Sequence, residues 1–143
     1  MNKRYMLDTN AINHALRQHP TFMANLQAVP MAALCISAVT YAEITYGLAK
    51  KPEATKLHKA IDELLKRLEV LPFDEHTAQQ YGQFKATIIE STEKSLTPLD
   101  MMIAAHAHSI GAVLISQDQA FHKIVGLHVQ DWTKEKYLCR ATS

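Results

Sequence analysis

Of the fourteen acids in this chain, four stand directly against apolar segments: Asp8, Glu43, Asp100 and Asp118. Asp8 ends Tyr5-Met6-Leu7, and Glu43 sits inside Val39-Thr40-Tyr41-Ala42-Glu43-Ile44. Asp100 opens Met101-Met102-Ile103-Ala104-Ala105, and Asp118 follows Val113-Leu114-Ile115-Ser116-Gln117. An ionised carboxylate beside core-forming sequence costs stability unless something compensates it. Glu53, Asp62, Glu63, Glu69, Glu90 and Glu93 lie instead in polar stretches, where water solvates them. If the four meet, any two carboxylates about 4 Å apart repel by ~4 kcal/mol at an effective dielectric near 20. Such a cluster must take up protons or a cation. Its all-oxygen donor set suits Mg²⁺ or Mn²⁺ rather than zinc, which usually takes sulfur and imidazole. A hard divalent ion at an acidic site points to phosphate chemistry.

Each acid also has a purely structural reading. Thr40-x-x-Glu43 and Thr97-Pro98-Leu99-Asp100 are capping-box patterns, the second with proline at the preferred first helical position. Asp118 can cap a short helix through Gln119-Ala120-Phe121, and Asp8 can bond the backbone of the turn after it. Four separate caps at strand exits are a less economical account than one shared site.

Other chemistries fare worse. His106 and His108 are two apart on a helix and point to different faces, and no HExxH pattern is present. Walker A, GxGxxG and GxSxG patterns are missing too. Cys35 lies in an apolar run and Cys139 in the tail, which is no disulfide framework. An aspartyl-phosphate enzyme would want a second Asp where Asn10 stands. A receiver-type switch would want a Lys where Asp131-Trp132 follows the last strand.

The elements that must position the acids are legible as alternation. Strands are expected over residues 5–7, 33–37, 69–73, 113–115 and 127–130. Helices are expected over 11–18, 22–29 and 40–50. A further helix carries the stripe Leu57, Ile61, Leu64, Leu65 and Leu68, and another carries Tyr81, Phe84, Ile88 and Ile89 behind a cap at Asp74 or Thr77. After a loop over 91–95, the helix 98–110 is stopped by Gly111. Strands separated by helices predict an α/β domain with a mainly parallel sheet covered on both faces. In such sheets the ligand site lies beyond the carboxyl ends of the strands. Asp8, Glu43 and Asp118 converge there by topology, whereas the pattern alone does not fix the edge that Asp100 faces.

The totals frame this reading. The 143 residues suit one domain spanning 1–143, with 48% hydrophobic and 20% charged residues, as in soluble proteins. No apolar run approaches the roughly 20 residues that span a bilayer, and the N-terminus lacks a signal-peptide core, so a cytoplasmic protein is expected. A net charge of +1 neither demands nor forbids a nucleic-acid partner. The basic residues from Lys50 to Arg67 read as a solvated helix face with Asp62–Lys66 and Glu63–Arg67 pairs.

Three blocks carry a resemblance: Met6-Leu7-Asp8-Thr9-Asn10, Ile36 through Gly47, and Pro98 through Ala107. With Leu114 through Phe121 and Val129-Gln130-Asp131-Trp132, they resemble PIN-domain nucleases, especially the VapC ribonuclease toxins of bacterial toxin–antitoxin pairs. The likeness runs from about residue 5 to 132. It implies a three-layer α/β/α sandwich and a Mg²⁺- or Mn²⁺-dependent endoribonuclease whose metal ligands and catalytic acids are Asp8, Glu43, Asp100 and Asp118. Asn10 resembles an organiser of Asp8, and Ser116 stands where a family hydroxyl steadies the pocket. The resemblance further implies a homodimer, a cognate antitoxin whose tail blocks the acidic pocket, and a structured RNA substrate, commonly tRNA. Ser116-Gln117 replaces the frequent Thr-Asn, and Asp118 stands where relatives often carry Asn, which makes it the least essential acid. Glu93 and Thr97 replace glycines before the third acid. A housekeeping RNA-processing PIN nuclease and a non-catalytic binding module are the remaining alternatives.

Overall fold

A computed structural model describes residues 3–88 and 96–134. Five strands, β1 (Tyr5–Leu7), β2 (Leu34–Ser37), β3 (Glu69–Leu71), β4 (Val113–Ile115) and β5 (Val129–Gln130), form one sheet in the order β3-β2-β1-β4-β5. Every pairing is parallel, with Tyr5 beside both Leu34 and Val113 and Leu7 beside Ile115. Parallel strands need long crossovers, and helices supply them.

The helices are α1 (Thr9–Leu16), α2 (Pro20–Gln27), α3 (Ala38–Ala49), α4 (Thr55–Leu65), α5 (Glu75–Ile88), α6 (Pro98–Ser109) and the short α7 (Gln119–His122), with a 3₁₀ turn over Met31–Ala33. Side chains alternate across the central strands. Tyr5, Leu7, Leu34, Ile36, Val113 and Ile115 join a core with residues of α1, α2 and α4. Met6, Cys35 and Leu114 join a second core with α5, α6 and α7. The expected three-layer α/β/α architecture is therefore present, and burial on both faces explains why these strands read as continuous apolar runs. Trp132 closes the first core, its ring 5.6 Å from Tyr5 and 5.7 Å from Phe22, while its carbonyl accepts from Asn25 Nδ2 at 3.1 Å.

Several local expectations shift. α3 starts at Ala38 rather than Thr40, because Ser37 caps it by accepting from the Val39 amide at 3.1 Å. β3 and β5 are shorter than expected and lie at the sheet edges, where only one neighbour supplies hydrogen bonds. Asp74, not Thr77, caps α5, accepting from the Thr77 amide and hydroxyl at 3.0 Å each. Among the described residues the ion pair at the end of α4 is Lys66–Glu63 at 3.2 Å, and neither expected pair, Asp62–Lys66 or Glu63–Arg67, forms. The 91–95 loop, Ile89, Glu90, Glu93 and Cys139 fall outside the described residues. Among the described residues no helix is long and apolar enough to cross a membrane.

Candidate metal centre at the carboxyl edge of the sheet

The strand order reverses at β1. From there the chain builds β2 and β3 to one side and β4 and β5 to the other. A crevice at the carboxyl ends of β1 and β4 is the place where such sheets bind ligands. Asp8 leaves β1 there and Ser116 leaves β4 there, side by side because Leu7 pairs with Ile115.

Asp8 is both a helix cap and a buried acid. Its Oδ1 accepts from the Ala11 amide at 2.7 Å at the start of α1, and the residue is only 4% exposed. Ser116, equally enclosed, bonds its carboxyl group. Burial pushes the Asp8 pKa up from 3.8 to about 6. The Ser116 and Ala11 hydrogen bonds oppose that rise, and the negative charges of Asp100 and Asp118 add to it. Those two acids are therefore close enough to be felt electrostatically at Asp8.

Asp118 arrives one residue beyond Gln117. Its amide donates to Ser116 Oγ at 3.0 Å, and its Oδ1 caps α7 by accepting from the Ala120 amide at 2.9 Å. Ser116 thus touches two of the acids. Asp100 comes from α6. That helix enters β4 at its amino end through Gly111, whose φ of +68° makes the left-handed turn. α6 therefore runs against the strands and delivers its first turn to the carboxyl edge, where the charge of Asp100 is felt at Asp8. The Thr97 capping box also forms, with the Asp100 amide donating to Thr97 Oγ1 at 3.1 Å. Asp8 and Asp118 are helix caps and Asp100 completes a capping box, so each of these three candidate ligands also has a structural task.

Glu43 behaves differently. The Thr40-x-x-Glu43 box does not form, since Thr40 lies inside α3 with its hydroxyl buried and unpartnered among the described residues. Glu43 instead accepts from Thr9 Oγ1 at 2.6 Å, which ties α3 to the residue beside Asp8. Thr9 is a partner of Glu43 that the sequence reading missed. Its signal is the hydroxyl in Asp8-Thr9-Asn10. Asn10 is exposed and makes no hydrogen bond to Asp8 among the described residues, so Ser116 and the Ala11 amide organise that carboxylate. Thr9→Val should lower activity about 10- to 100-fold, the usual cost of losing a group that orients a ligand, while Thr9→Ser retains it. Equal rates for the two variants in a cleavage assay would show that the tether does not matter.

The arrangement suits a hard divalent cation by its donor chemistry. All four groups offer oxygen, and the ion pairs Arg4–Glu69, Lys66–Glu63 and Lys134–Asp131 all lie elsewhere. As the side chains stand, no three Asp, Glu, His or Cys among the described residues gather closely enough to hold an ion. Like charges without a counter-ion are expected to stand apart. The competing nucleophiles are silent. The Cys35 thiol is fully buried and pushed up to about 11 by desolvation. His106 is buried against Ser37 Oγ at 2.8 Å, and burial lowers its pKa.

Comparison with known proteins identifies the family and the fold. The PIN domain family profile matches residues 5–127. Ribonuclease VapC1 of Haemophilus influenzae is 35% identical over 133 residues, covering 91% of this chain and 98% of that protein. The tRNA(fMet)-specific endonuclease VapC of Salmonella typhimurium is 30% identical over 130 residues, covering 90% and 98%. The DNA-bound VapBC crystal structure from Salmonella typhimurium superposes with a TM-score of 0.80 at 30% identity, covering 92% of this chain and 99% of that one. Sheet order, acids at the strand switch and likeness along the whole described fold together place this chain in the PIN-domain family, among the VapC ribonucleases.

Proposed function

We propose that this protein is the toxin of a toxin–antitoxin pair, a metal-dependent endoribonuclease that cuts tRNA, with the initiator species the first candidate. The observation that carries this reading is Asp8, buried at the β1/β4 crevice and held near 6 by burial and by the charges of Asp100 and Asp118. Asp8, Glu43, Asp100 and Asp118 would hold Mg²⁺ or Mn²⁺. When bound, the ion would lower the pKa of a water and offset charge on the phosphoryl group. The chain's own residues do the positioning. Ser116 and the Ala11 amide fix Asp8, Thr9 fixes Glu43, the Thr97 box fixes Asp100, and the α7 cap fixes Asp118. Because water rather than the RNA 2′-hydroxyl attacks, the products carry 5′-phosphate and 3′-hydroxyl ends.

The antitoxin has a natural seat. A groove of about 490 Å³ opens between α1, α2 and α4, lined chiefly by apolar side chains such as Leu16, Met23, Leu26, Leu64 and Leu68. The α4 stripe thus serves two ends: Ile61 is core, while Leu64 lines the groove. The crystal structures it resembles include VapBC complexes, which supports a protein partner for this chain.

The decisive experiment incubates purified, partner-free protein with total RNA and Mg²⁺ or Mn²⁺, then maps the ends. Discrete cuts in tRNA with 5′-phosphates, lost in EDTA, are expected. Cyclic phosphates, or cutting undiminished by chelation, would refute the metal reading.

A further inference from the structure

A second concavity of about 250 Å³ begins at Thr9 and Glu43 and runs along α3 to Lys50 and Lys51. Its far end carries charge opposite to that of its near end. Among the described residues neither lysine joins an ion pair. Lys50 Nζ lies 4.7 Å from the centroid of the exposed Tyr46 ring, and the Lys51 carbonyl is held by His58 Nε2 at 2.9 Å. Between the two ends sits Gly47, where an added Cβ would meet nothing within 4 Å, so the floor of the trench is open. Seven residues of α-helix separate Glu43 from Lys50, about 10 Å along the axis.

We propose that this trench is the RNA strand's path out of the acidic centre, with Lys50 and Lys51 holding a phosphate that flanks the scissile one and Tyr46 offering its ring to the adjoining base. The proposal rests on the nuclease reading above. A polyanion meets repulsion at four carboxylates, so cations beside them are needed to hold it while the reacting phosphate enters. A lysine over an exposed tyrosine also offers the two contacts that single-stranded nucleic acid uses, charge for phosphate and ring for base. Ile12, Ile44, Leu48, Leu57 and Ile61 line the trench between its charged ends, and it is the lysine pair that sets it apart from the larger groove, whose lining holds no lysine.

The test reads binding separately from cleavage. A fluorescein-labelled single-stranded RNA oligonucleotide of mixed sequence is titrated, with Mg²⁺ present, into the cleavage-deficient Asp8→Asn protein across a range of salt. Adding Lys50→Ala and Lys51→Ala should weaken binding about tenfold and reduce the log–log salt slope by about 0.7, the contribution of one lost phosphate contact on a single strand. Lys50→Arg with Lys51→Arg should restore both. Lys56→Ala with Lys59→Ala, exposed on α4 outside the trench, should change neither by comparison. An unchanged slope in the alanine pair overturns the proposal. RNA binding that depends on the lysines in a protein that nevertheless cuts no RNA would count against the proposed chemistry alone.

Discussion

Asp8→Asn and Asp100→Asn should each reduce RNA cleavage on the order of a thousandfold or more, with the fold intact. The size follows from what the proposed mechanism would lose: a charged oxygen that would hold the cation offsetting phosphoryl charge. Asparagine keeps the other job of each residue. Its side-chain oxygen can still accept from the Ala11 amide at position 8 and complete the Thr97 box at position 100. Loss of activity without loss of structure is therefore the expected pair of results, read by end-mapped cleavage and by circular dichroism on the same samples. Asp118→Asn should cost less, roughly tenfold, since the resemblance makes it the least essential acid, and asparagine also supplies the oxygen that caps α7. Cleavage by Asp8→Asn within a few-fold of the unsubstituted rate would remove the acidic pocket from the mechanism.

The second large effect is on stability, and its sign runs opposite to that of most carboxylates. The folded-state pKa of Asp8 is raised from 3.8 to about 6, so between those values the folded chain holds a proton that the unfolded chain has released. Stability consequently falls as pH rises through that window. The contribution is fully present below about 3.8 and lost above about 6, a difference of ~3 kcal/mol at 1.36 kcal/mol per pKa step. In EDTA, Asp8→Asn should escape this loss, so that at pH 7 the variant is more stable than the unsubstituted protein. Urea titrations of both proteins at pH 4 and pH 7 measure the difference directly. Mg²⁺ should then reverse the order. A ligand bound only by the folded state adds about 2.7 kcal/mol at a hundred times its Kd, and Asp8→Asn should gain little of it. Parallel pH profiles, or equal Mg²⁺ stabilisation of both proteins, would count against a cation at Asp8.

This opposition between stability and function explains the local design. Each of the four candidate acids accepts a hydrogen bond from a neighbour. Ser116 alone touches Asp8 and the Asp118 amide, so one small buried hydroxyl links the exits of β4 and β1. Glu43 relies on Thr9 in the same way. The site is thus assembled from side chains that also cap helices or tie elements together, and loosening one should disturb several.

Much of this was legible in the chain itself, because it is local. Apolar runs bounded by turn residues declared β1, β2 and β4, and the caps at Asp8, Thr97 and Asp118 follow from hydrogen bonds spanning two or three residues. A carboxylate flush against an apolar run signals a site for an equally local reason, the cost of desolvating it. The resemblance in Asp8-Thr9-Asn10 and in the Glu43 and Asp100 blocks then supplied the family. What only the tertiary structure decided was non-local. That β1 lies between β2 and β4, bringing Leu7 beside Ile115, depends on which faces the helices cover, and no single segment's periodicity encodes that choice. The direction of α6, and with it the edge that Asp100 faces, follows from the same packing. Glu43 shows the limit most plainly: its nearest candidate partner in sequence was Thr40. Because Ser37 starts α3 a turn earlier, Thr40 is enclosed in the helix and Glu43 turns to Thr9, thirty-four residues away. Short-range hydrogen bonds can be read along a chain, whereas contacts between elements wait on the burial that drives them together.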